Sequence, residues 1–223
     1  MFTTDSFSLI VALAALALVP FVAMVATSYL KIVVVMSLIR NALGIQSIPP
    51  NMVINALALI LSFYILAPRL EQSWDIVSSR MEANKPEKVF RTEILAEAAE
   101  PFREFLLQET GEKQLAFFAN TAETLWATKN EKGEPVPAKV DPKSYFVLVP
   151  AFCVSELTRA FQIGFLVYLP FIAIDIIVSN ILLAMGMMMV SPVTISLPFK
   201  LLLFVMVDGW TLLIHGLVQS YVH

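Results

Sequence analysis

The chain has 223 residues, of which 58% are hydrophobic and only 15% charged, against about 45–50% and about 25% in a soluble globular chain. With a mean hydropathy of +0.76, a net charge of −3 and a pI near 5.4, this composition excludes a disordered chain, a fully solvated enzyme and a protein whose main partner is nucleic acid. One cysteine, Cys153, rules out an intrachain disulfide framework, and with two histidines it cannot build a thiolate-rich zinc site.

Of 33 charged residues, 25 lie between Arg69 and Lys143; the other eight are Asp5, Lys31, Arg40, Glu156, Arg159, Asp175, Lys200 and Asp208. The charges divide the chain into an N-terminal apolar helical hairpin (1–68), a polar and mainly helical centre (69–145), and a C-terminal apolar helical hairpin (146–223). Residues 6–30 carry no charge, which is enough to cross a hydrocarbon core of about 30 Å as a helix. The basic start of a cleaved secretory signal is missing, so the run reads as a retained anchor, kinked at Pro20. Residues 41–68 are also uncharged but are broken by Gly44 and Pro49-Pro50. That predicts a helix ending near Leu43, a turn over 44–51 and a second helix from Met52 to about Ala67.

In the centre, apolar residues spaced by three and four predict helices over 71–81, 92–108 and 113–128, with Gly111 separating the last two. Residues 130–141, with Gly133, Pro135 and Pro137, predict a loop. In the C-terminal block, 161–174 and 176–199 are uncharged around Asp175, Pro192 and Pro198 bracket a turn, and 200–222 returns with Asp208 inside it. The expected fold class is all-α, a membrane-associated helical protein. Lys31 and Arg40 lie towards the first turn and Lys200 beside the second, so the short-loop basic residues put both turns in the cytoplasm and the centre in the periplasm.

No catalytic constellation is present: there is no phosphate loop, His215 and His223 are far from any ligand cluster, and Cys153 reads as a buried, inert thiol. His215 reads as an interfacial or internally satisfied polar residue. Four methionines in five residues, Met185, Met187, Met188 and Met189 around Gly186, are either apolar filling of a membrane helix or an adaptable thioether surface that closes a pore around passing chains. Glu156 and Arg159 stand at a spacing that pairs on one helix face, or simply lies on a solvated one. Asp175 and Lys200 each interrupt an apolar run, one on either side of the Pro192 turn, and burial favours their pairing. Asp208-Gly209-Trp210 reads as a candidate membrane interface.

The run VPAFCVSELTRAFQIGF (149–165) resembles the signature of the FliP/SctR family of type III secretion export-apparatus proteins. The similarity continues through Tyr168-Leu169-Pro170-Phe171, Asp175, the methionine run to Pro192, Ser196-Leu197-Pro198-Phe199-Lys200-Leu201 and Asp208-Gly209-Trp210. Near the N-terminus, Arg40-Asn41-Ala42-Leu43-Gly44 and Pro49-Pro50-Asn51 resemble the family's first turn, while the polar centre matches only in position and character. The missing leader resembles the injectisome branch more than the flagellar one. The resemblance implies a homopentamer joined by SctS-like and SctT-like subunits into an export gate at the bacterial inner membrane, largely raised above the bilayer plane. Unfolded substrate proteins would pass through its centre, with Met185, Met187, Met188 and Met189 as a gasket. From charge, cysteine and histidine counts and the lack of a nucleotide-binding motif, no cofactor, metal or nucleic-acid partner is expected. A self-contained channel or transporter would need ion-coordinating rings or broken-helix substrate sites, and a non-conducting scaffold is the third possibility.

Overall fold

The computed structural model describes residues 13, 14, 17, 20–45, 47–83, 92–129 and 135–222. Helices α1 (Tyr29–Ala42), α2 (Asn51–Ala83), α3 (Thr92–Ala98), α4 (Glu100–Glu109), α5 (Glu112–Leu125), α6 (Tyr145–Ala184), α7 (Pro192–Met206) and α8 (Gly209–Gln219) make the fold all-α. Among the described residues the sole extended pairing is a two-residue antiparallel ladder, Thr128–Lys129 against Pro135–Val136. The anchor expected over 6–30 and the loop expected over 130–141 lie partly outside the described residues; within the former, 20–25 are helical.

Three boundaries differ from the sequence reading. The second helix does not stop near Ala67 but runs through Pro68 to Ala83, absorbing the separate helix expected over 71–81. A single missing donor removes one bond from a helix of 33 residues, and the turns on both sides outweigh it. Pro198 does not bracket the second turn; it lies inside α7, while Pro192 occupies the helix start, where its absent N–H is not needed. Buried contacts made by Ser196 and Lys200 hold α7 together across Pro198. The helix expected over 92–108 is two helices, because Pro101 opens α4.

Among the described residues, two helices are long and apolar enough to cross a membrane, Asn51–Arg80 and Tyr145–Ala184, and α7 with α8 makes a third candidate bent by 61°. At 1.5 Å per residue α6 is about 60 Å long, roughly twice the hydrocarbon core.

The chain forms two units. The first comprises 1–30 and 66–155. In it Phe105, Leu106, Leu148, Ala151 and Phe152 are buried, with the Phe105 and Phe152 rings 6.0 Å apart. A smaller cluster joins Ala119 and Ala122 of α5 to Val147. The break between α4 and α5 is fastened where the Gly111 N–H donates to Ser155 Oγ at 2.9 Å. Cys153 is partly buried, its thiol 3.0 Å from the Val25 carbonyl.

The second unit comprises 31–65 and 156–223. At the centre of its core is one face of α1: Ile32, Val35, Met36, Ile39 and Ala42 are all buried, a spacing that keeps to a single stripe of a 3.6-residue helix, and Leu43 just beyond the helix is buried with them. Both apolar turns end their first helix with the same device. At Gly44 (φ 79°) and Gly186 (φ 74°) the chain enters the left-handed region. The Gly44 N–H donates to Asn41 O and the Ile45 N–H to Arg40 O; Gly186 and Met187 repeat this with Leu183 O and Leu182 O. This pairing closes the orphan carbonyls of a helix end, and glycine alone enters it without a Cβ penalty.

The bend between α7 and α8 has a different cause. Asp208 adopts φ 49°, and the Phe204 ring, 6.5 Å from Phe171 and 5.3 Å from Trp210, lies against Gly209. A Cβ at position 209 would overlap that ring. Gly209→Ala is therefore expected to destabilise the protein by about 1–3 kcal/mol through overpacking. Adding Phe204→Leu should recover part of the loss, as read from SDS-unfolding midpoints of the purified protein.

Candidate gate loop and buried charge clusters

The methionine cluster falls on the segment that joins α6 to α7. Once Gly186 has turned the chain, Met188 N–H donates to Gly186 O at 3.0 Å and Val190 N–H to Met187 O at 3.3 Å, so the loop is ordered by its own backbone. The side chains are another matter: Met185 is 66% exposed, Met188 81% and Met189 fully exposed, with Met187 at 41%. These thioethers fill no core within the chain. Soft, unbranched side chains presented on a backbone-ordered loop make a compliant apolar surface.

The base of that hairpin is closed by charge. Lys200 of α7 donates to Asp175 Oδ2 of α6 at 2.6 Å and to the Ala42 carbonyl, in the last turn of α1, at 3.0 Å. Ser196, wholly buried, donates to Asp175 Oδ1 at 2.5 Å. Lys200 is buried, while the Asp175 side chain keeps 32% exposure. An ammonium at a helix C-terminus also meets the negative end of the helix dipole.

A second cluster centres on Glu156, which is fully buried. Its carboxylate accepts from Tyr221 Oη, lies 3.3 Å from Lys31 Nζ and takes Arg159 at 3.4 Å. Lys31 is itself 1% exposed, donates to Ser220 Oγ at 3.3 Å and stands 3.6 Å from the centre of the Tyr221 ring, a cation–π distance. The sequence reading paired Glu156 with Arg159 alone and overlooked Lys31 and Tyr221. A lysine inside an apolar helix demands a counter-charge, and that signal was present; its partner lies 125 positions on. Neither cluster contains His215, which is exposed on α8, and His223 lies outside the described residues. No set of three metal-ligating side chains gathers among the described residues.

The two clusters carry an ordered expectation. Asp175→Asn leaves the buried Lys200 without its counter-charge and should cost about 3–5 kcal/mol. Combining it with Lys200→Met removes the stranded charge and should cost less than Asp175→Asn alone, although the Ala42 carbonyl then loses its donor. Glu156→Gln should be as damaging as Asp175→Asn, because Lys31 is equally enclosed. SDS-unfolding midpoints of the four proteins test this; a double variant no more stable than Asp175→Asn would contradict it.

The chain matches the FliP family over residues 12–217. It is 50% identical over 221 residues to the Yop proteins translocation protein R of Yersinia pestis, covering 97% of both chains. With the hypersensitivity response secretion protein HrcR of Ralstonia nicotianae it shares 46% over 215 residues, 96% of each. The flagellar biosynthetic protein FliP of Bacillus subtilis is more distant, 39% identical over 218 residues that cover 98% of this chain and 93% of that one. The chain belongs to the FliP family, and within it is more similar to these translocation and secretion proteins than to the flagellar ones.

Proposed function

We propose that this chain is a core subunit of the export gate of a bacterial type III protein secretion system, seated at the inner membrane. Unfolded substrates cross through a pore that several copies surround. Support for the secretion role comes from the relatives, which are named for translocation and secretion. Support for the pore comes from one observation: four methionines stand on a loop ordered by backbone hydrogen bonds, and three of them, Met185, Met188 and Met189, are left largely uncovered by their own chain. Packing within the chain does not account for side chains left this exposed. A ring of such loops seals by mutual apolar contact, and it yields to chains of different shape because thioethers re-pack at little cost. In this reading the copies form a homopentamer with SctS-like and SctT-like partners. The polar centre faces the periplasm, Asp175–Lys200 and Glu156–Arg159 serve as structural ion pairs, and Met185, Met187, Met188 and Met189 are the gasket.

Replacing Met187, Met188 and Met189 together by alanine is expected to leave assembly intact and to make membranes carrying the complex leak small ions or dyes. Phenylalanine at the same three positions should instead obstruct secretion, since stiff rings do not re-pack around a moving chain. Dye efflux, secretion assays and native mass spectrometry of the assembled complex read the three outcomes. An assembled alanine variant that is as tight as the parent would refute the gasket.

A further inference from the structure

Five of the seven charges in the described apolar segments belong to the two clusters, and the remaining two fall in one place. Lys31, Glu156 and Arg159 share one cluster, and Asp175 and Lys200 another. Among the described residues, Arg40 and Asp208 form no ion pair; Arg40 binds only the Pro49 carbonyl and the Asn51 side-chain oxygen. Both line one cavity of about 590 Å³ within the second unit, a volume in the range of small-ligand sites. Eleven of its thirteen lining residues are apolar or glycine, Leu57, Leu201, Phe204 and Trp210 among them. Around it Ile48, Val53 and Val205 are at least half exposed, so the surroundings are apolar too.

We infer that this cavity binds a zwitterionic phospholipid, one acyl chain lying along the apolar wall, the phosphate at Arg40 and the ammonium at Asp208. A guanidinium is the side chain best matched to a phosphate. An anionic headgroup is disfavoured because the Asp208 carboxylate lies in the same cavity, and a headgroup of both signs answers both residues. A peptide strand is disfavoured because its amides would meet almost no polar partners there, whereas an acyl chain needs none. The site is independent of the gate reading and requires only that the chain meets a bilayer.

Native mass spectrometry of the detergent-solubilised full chain tests the assignment, after exchange with micelles containing dioleoylphosphatidylethanolamine, dioleoylphosphatidylglycerol or glycerophosphoethanolamine. One phosphatidylethanolamine should be retained at least about tenfold more than phosphatidylglycerol, and the chainless headgroup not at all. Asp208→Asn, which keeps a residue tolerant of the left-handed backbone, should reverse the preference towards phosphatidylglycerol. Leu57→Trp should abolish retention of both by filling the wall, and Arg40→Lys should weaken phosphatidylethanolamine while preserving the charge. Equal retention of the two lipids by the parent, or no change in Asp208→Asn, would overturn the proposal. Binding of the headgroup alone, or loss of the lipid when the chain assembles with other subunits, would overturn it in favour of a small solute or a protein segment respectively.

Discussion

The amine of Lys200 decides the geometry of the apolar half. An ammonium moved out of water costs several kcal/mol unless its donors are matched, and here two of them are dealt to a carboxylate and a helix-terminal carbonyl. Those two acceptors belong to different helices, so satisfying one side chain fixes α7 against α6 and against the end of α1 at once. Lys31 does the corresponding work near the start of α1, through Glu156 and Tyr221. The helix whose buried stripe forms the core of this unit is thus held by a lysine contact at each end.

The methionine loop depends on the same clamp. Asp175 precedes Met185 by ten residues, and Lys200 follows Pro192 by eight, so the ion pair closes the base of the hairpin whose tip carries the thioethers. The loop has no side-chain core of its own to locate it. Its position comes from the clamp below and from the helix-ending bonds of Gly186. Softness is thus confined to the side chains, with the backbone held.

Much of this was legible in the sequence. The all-α class and the glycines that end α1 and α6 follow from periodicity and turn chemistry, because each of these is local. The methionine cluster was visible as a cluster, but not its exposure, since an apolar run reads alike whether it faces protein or nothing. Pro68 and Pro198 read locally as helix ends, yet both lie inside helices. A proline's local penalty is fixed, while the contacts that override it, such as those of Ser196 and Lys200, come from elsewhere in the chain. Glu156 was assigned to Arg159 three residues away because sequence spacing ranks near partners first; in the fold Lys31 is the more enclosed of the two.

The way charge is distributed over the apolar half also constrains how it can associate. Phe63 and Tyr64 of α2, and Phe161, Phe165 and Leu166 of α6, are more than half exposed, and such surface is covered in a native membrane protein by lipid or by other subunits. A contact that also had to complete buried ion pairs would leave every unassembled chain with stranded charges, each costing several kcal/mol. Here Lys31, Glu156, Asp175 and Lys200 are matched within a single chain, so the outward surfaces can be joined and separated without exposing an unpaired buried ion. A contact made by those outward surfaces would therefore have none of these four charges left to complete, and would rest on shape and apolar packing.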